Sequence, residues 1–122
     1  MRIINRILLG FGILLFIGAL LVFRPVPIVK EEKALTKLGT VERIYEGGVK
    51  DVVFRLEGDP TRYYINRGLE NDLNLETLRA DLLGKNVTIK YPKYWTPLDP
   101  KNCIRHLSKL EFEGRVIFNE LK

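Results

Sequence analysis

Residues 7–23 read ILLGFGILLFIGALLVF, a run without a charge and with hardly a polar atom, closed by Arg6 on one side and Arg24 on the other. A helix needs about 20 apolar residues to cross a hydrocarbon core about 30 Å thick. Ile3 and Ile4 lengthen the run, and Arg2, Arg6 and Arg24 can extend their guanidinium groups to the headgroups along their alkyl stems. Backbone groups have no water to bond inside lipid, so the stretch is expected to be helical despite Gly10, Gly12 and Gly18.

Two other readings compete. A cleaved secretory signal starts with a basic region and an apolar centre, but it also wants small residues at its exit. Here the exit is Leu20-Leu21-Val22-Phe23-Arg24-Pro25. A core helix apolar all round needs a large protein to hide it, and this chain has 122 residues. The expectation is an uncleaved transmembrane anchor over residues 1–24.

Pro25 and Pro27 end the helix, because proline lacks an N–H and pushes the preceding residue toward extended geometry. Residues 25–37 read as a stiff juxtamembrane spacer, with Glu31, Glu32 and Lys33 solvated. Residues 38–122 form the remaining domain, large enough for one core without metal or disulfide staples. Cys103 is the only cysteine, so no internal disulfide exists. The formal net charge is +5; Arg2 and Arg6 supply two of these, leaving +3 from Arg24 onward. That balance favours anionic headgroups and is too weak to argue for nucleic acid by itself. A literal count of Lys and Arg favours a cytoplasmic C-terminal side, but long domains translocate largely regardless of charge and a short basic N-terminus usually stays inside. The localisation expected is a single-pass protein of the cell membrane with its C-terminal domain on the extracytoplasmic side.

Within the domain, Thr40–Tyr45 is β-rich and Gly47-Gly48 makes a turn. Val49–Leu56 alternates, with Val52, Phe54 and Leu56 on one face. Gly58-Asp59-Pro60 turns again, and Arg62–Asn66 is a third strand with Tyr63 and Ile65 inward. Asn74 is a good N-cap for a helix whose Leu75, Leu78, Leu82 and Leu83 share a face, and Gly84 is placed to stop it. Asn86–Tyr91 is a fourth strand, with Val87, Ile89 and Tyr91 toward the core. A proline-rich loop over Pro92–Cys103 leads to a last strand or hairpin from Ile104 through Phe112, a turn at Glu113-Gly114, and Arg115–Phe118.

The fold class is therefore mainly β: one N-terminal transmembrane helix, then a five-strand barrel with one helix between strands three and four. This order resembles the OB-fold over roughly Leu38 to Phe118, and Gly84–Tyr91 looks like its helix exit and fourth strand. An SH3-like roll is the alternative, and it usually lacks a full helix before the fourth strand. The apolar N-terminus, Tyr63–Leu69 and His106–Leu110 resemble small uncharacterised bacterial membrane proteins, a likeness that carries no function.

The resemblance implies a ligand face on strands two and three with the loops beside them. It would carry Arg43, Arg55, Arg62, Tyr64 and Asn66, with Lys93, Tyr94 and Trp95 from the loop between strands four and five. Aromatic faces stack on bases or sugars, and arginine pairs with phosphate or acidic groups. Packing and solubility account for the same residues without a ligand. Trp95 and Tyr94 also suit the bilayer interface.

Cys103 and His106 have C-x-x-H spacing, but a structural zinc site needs four ligands and there is no second pair. The carboxylates are scattered through turns and strand edges, and no phosphate-binding or nucleophile-elbow motif occurs. The expectation is a non-catalytic module with no cofactor and no metal. Its partners would be the membrane and another membrane or envelope protein, a glycan or a lipid headgroup; nucleic acid fits only if the domain faces the cytoplasm.

Overall fold

The apolar run is one unbroken helix in the computed structural model, which describes residues 2–23 and 25–121. This helix, α1 (Arg2–Val22), has 21 residues. It is long and apolar enough to cross a bilayer: at 1.5 Å per residue it spans roughly 32 Å. None of its residues is buried, which excludes a helix packed into the protein's own core. Arg24, read above as the charged close of the run, lies outside the described residues.

The chain from Pro25 to Lys30 is neither helix nor strand, as the prolines require. A short 3₁₀ turn follows at Glu31–Lys33, and then β1 (Leu35–Gly47). The sheet thus reaches back into the spacer segment, and Glu31 is not simply solvated. Lys109 donates to its Oε1, and Lys90 Nζ lies 3.3 Å from its Oε2.

The remaining elements are β2 (Asp51–Leu56), β3 (Arg62–Ile65), a 3₁₀ turn at Gly68–Glu70, α2 (Leu75–Leu82), β4 (Asn86–Tyr91), β5 (Ile104–His106), β6 (Lys109–Phe112) and β7 (Arg115–Asn119). They form one mainly β domain with a sheet ordered β5-β3-β2-β1-β4-β6-β7. Pairing is antiparallel throughout, except that β3 and β5 run parallel.

Seven strands replace the five expected, and the ladder is open where a closed barrel was expected. The physical reason sits at Leu107-Ser108. The Leu107 N–H donates to Tyr64 O on β3 (2.7 Å), while the Ser108 N–H donates to Lys90 O on β4 (2.8 Å). Both residues are buried. The stretch read as one strand therefore changes partner in its middle: β5 follows β3, and β6 follows β4. The Glu113-Gly114 turn then adds β7 as an edge.

One long strand serves both halves of the sheet. Leu35–Thr40 of β1 pairs with β4, and Val41–Gly47 pairs with β2, with a register slip between Val41 and Arg43. An extra residue in one strand sharpens its bend. Gly39 permits the close approach there, since a Cβ at that position would stand 2.8 Å from Leu56 Cδ1.

The core lies between the inner faces of these strands and α2. Val52, Phe54, Leu56, Tyr63 and Ile65 point inward as alternation requires, joined by Ile44, Val87, Ile89, Leu107 and Leu110. Asn74 caps α2, its Oδ1 accepting from the Thr77 N–H at 3.1 Å. Leu78 and Leu82 are buried and Leu75 packs against the core. Leu83, expected on the same face, is 41 % exposed. The helix has already ended: Leu83 is extended (φ −60°, ψ 130°) and Gly84 sits at φ +76°. The glycine stop works one residue earlier than the leucine pattern suggests.

Candidate ligand-binding face

Strand register decides what stands beside what on the outer side of β1, β2 and β3. Ile44, Phe54 and Tyr63 pair across the inner face. Their neighbours one residue away point the other way, and these are Arg43, Arg55 and Arg62. Arg43 is opposite Arg55, and Arg55 is opposite Arg62, so three arginines form one row across three strands. Cross-strand Cβ atoms lie about 4.5–5.5 Å apart, and like charges in that relation are unfavourable. Among the described residues no carboxylate forms an ion pair with any of the three. The Arg43 guanidinium lies 5.0 Å from the centre of the Tyr45 ring. The Arg55 Nε is buried without a hydrogen-bond partner.

The next row along the same face is Tyr45, Val53, Tyr64 and His106, brought together by the β1–β2, β2–β3 and β3–β5 pairings. Beside it opens a groove of about 440 Å³, walled by Tyr45, Gly47, Gly48, Asp51, Val53, Arg62, Tyr64, Asn66 and Ile104. Asp51 closes one end, its Oδ1 held by the Arg67 N–H at 2.8 Å. Tyr64 lies at the junction with two further hollows. One is shared with Tyr94, Leu98 and His106, and the other with Val26, Ile28 and Glu120. Burial, reinforced by the Asp51 carboxylate, pushes the Tyr64 phenol upward. It stays protonated and able to donate.

The structure gathers Arg62, Tyr64 and Asn66 at the groove and sets Arg43 and Arg55 in the row beside it. Tyr94 meets Tyr64 from the far side, in the second hollow. Lys93 and Trp95 are exposed on the loop and line none of these three hollows.

The sequence reading passed over Tyr45, although it follows Arg43 by two and so shares its face by simple alternation. Ile104 and His106 join through parallel pairing with β3, which leaves no local signal. His106 is half-buried, hydrogen-bonded to Glu120 and edge-on to Tyr64 with ring centres 5.2 Å apart. Cys103, its partner in C-x-x-H spacing, is exposed. Among the described residues no group of three metal-ligating side chains converges.

The face thus offers two tyrosine walls, an arginine row whose charge has no acid partner among the described residues, and an amide. Such a surface suits a ligand with a flat ring or sugar and an anionic group. Compared with protein-family profiles, curated proteins and solved structures, the chain finds no match.

Proposed function

We propose that this chain is a single-pass membrane protein whose small OB-like domain is a non-catalytic binding module for a membrane-proximal partner. The observation that carries the reading is the in-register row Arg43, Arg55 and Arg62, without an acid partner among the described residues, beside the groove of about 440 Å³. Such a row costs stability in the free protein, and an anionic group on a partner offsets that cost. Three features support the OB-like part. A helix stands between β3 and β4, β1 is shared by β2 and β4, and the chain from β5 to β6 links β3 to β4. The membrane part is supported by a helix of bilayer length with no buried residue. Tethering confines the search to the membrane plane and raises the effective concentration of a partner already there.

The test uses the full chain purified in detergent with its natural envelope neighbours. Arg55→Glu and Arg62→Glu are expected to release a co-purifying partner while the melting temperature holds or rises, since each relieves the repulsion in the row. Retention of every neighbour by both variants overturns the binding role of this face. The arginine row also favours a second reading, a nucleic-acid module facing the cytoplasm. A reporter fused after Lys122 separates them: an extracytoplasmic signal removes the second reading, and a cytoplasmic one removes the first's glycan and envelope partners.

A further inference from the structure

The loop Pro92–Cys103 between β4 and β5 carries apolar side chains outward while its polar groups bond to one another. Asp99 organises it: Oδ1 accepts from the Cys103 N–H at 2.9 Å and Oδ2 from the Ile104 N–H at 2.8 Å. The Asp99 N–H donates to Thr96 O, and the Asn102 N–H to Asp99 O, both at 3.1 Å. The Trp95 indole N–H donates to Pro100 O at 3.2 Å, so its one polar atom is already satisfied within the loop. Trp95 is nonetheless 49 % exposed and Leu98 71 % exposed. A loop held this firmly presents them at little conformational cost. Lys93 and Lys101 flank them and are exposed as well.

Its position relative to α1 gives the occupant. Val26 walls the same hollow as Thr96 and Leu98. It is only four residues past Val22, the end of α1, so it lies within about 14 Å of that end even if the chain is fully extended. The polar layer on each side of a bilayer is about 5–7 Å thick. Leu98 is therefore within reach of the surface from which the spacer emerges.

We propose that the Pro92–Cys103 loop is a second membrane contact. Trp95 and Leu98 enter the headgroup region of the bilayer that α1 crosses, and Lys93 and Lys101 face its anionic lipids. This rests on the transmembrane reading of α1 and assigns the loop to lipid, leaving the arginine face to the partner.

Trp95 is the only tryptophan in the chain, so its fluorescence reports this loop alone. The full chain is reconstituted into mixed phosphatidylcholine–phosphatidylglycerol vesicles whose acyl chains carry bromine near the headgroup. Emission is expected to fall roughly two-fold against unbrominated vesicles, with weak quenching by aqueous iodide. Leu98→Asp with Lys101→Glu is expected to abolish most of the bromine quenching while the protein still floats with the vesicles through α1. Emission quenched by iodide and indifferent to bromine overturns the proposal and leaves the loop facing water or a protein. A chain that fails to float at all removes the anchor and the proposal together; a floating chain with a water-exposed tryptophan removes only the loop contact.

Discussion

Glu31, nine residues beyond the end of α1, accepts a hydrogen bond from Lys109 in β6, 78 positions further along the chain. Lys109 is buried and also pairs with Glu111 at 2.8 Å, and Lys90 approaches Glu31 from β4. The spacer is thereby latched to the sheet rather than left as a free tether. From Val22 to Glu31 an extended chain reaches about 30 Å at most. The domain is therefore held within that distance of the helix end.

The latch has a pH signature. The hydrogen bonds from Lys109, then Lys90, hold the Glu31 carboxyl below its ordinary value. A carboxylate lowered in the fold contributes above its unfolded pKa and loses that contribution as pH falls through the folded value. Limited proteolysis between Pro25 and Ala34 is expected to be slow at neutral pH and to accelerate several-fold below about pH 4. Glu31→Gln should show the fast rate at neutral pH. Equal cleavage of both proteins at neutral pH would remove the latch.

Asp59 makes a second acid-sensitive point, in the β2–β3 turn. It accepts from the Thr61 N–H at 2.9 Å and from the Tyr63 hydroxyl at 2.8 Å, with Lys37 at 3.7 Å. Burial pushes its carboxyl upward, but the Thr61 N–H, the Tyr63 and Thr61 hydroxyls and the Lys37 charge together outweigh it, and the net shift is downward. Burial and the facing Asp59 together raise the Tyr63 phenol. The contribution of Asp59 is again present above the unfolded carboxylate value and lost in acid. Asp59→Ala strands the buried Tyr63 hydroxyl and is expected to cost about 1–3 kcal/mol in urea unfolding at pH 7. Its stability should fall less steeply than the wild type's below about pH 4.

Leu78 and Leu82 join α2 to the sheet core. Each truncation to alanine is expected to cost about 2–5 kcal/mol, read as a lower urea midpoint with an unchanged slope. Leu83→Ala is the control. Its side chain is substantially exposed, so its effect should stay under about 0.5 kcal/mol. Equal effects at Leu82 and Leu83 would contradict a helix that ends at Leu82.

Gly84 tests the same corner through the backbone. A Cβ there meets nothing within 4 Å, so space is not the obstacle. The obstacle is φ +76°, which costs an L-residue about 1–2 kcal/mol. Gly84→Ala should lower the melting temperature accordingly, and Gly84→Asn by less, since asparagine tolerates that region better.

Leu14→Asp with Leu15→Asp puts two charges near the centre of α1. Each costs about 2.5–3.5 kcal/mol on insertion scales. The protein is expected to leave the membrane fraction or be degraded. Unchanged fractionation would contradict the anchor.

Alternation and periodicity are local, and what they govern was legible in the chain. The apolar length of α1 needs no partner to be recognised. The inward set Val52, Phe54, Leu56, Tyr63 and Ile65 follows from period two, and the Asn74 cap and Gly84 stop follow from backbone chemistry within a turn. Even the outward direction of Arg43, Arg55 and Arg62 was available from parity. What parity lacks is register. Only the pairing of β1, β2 and β3 puts those three arginines opposite one another, and only the parallel seating of β5 on β3 brings His106 to Tyr64. The partner change at Leu107-Ser108, the Glu31–Lys109 latch and the nearness of Leu98 to Val26 are of the same kind. Each joins residues distant in the chain, and such contacts are set by how whole faces bury against each other, which no window of neighbouring residues contains.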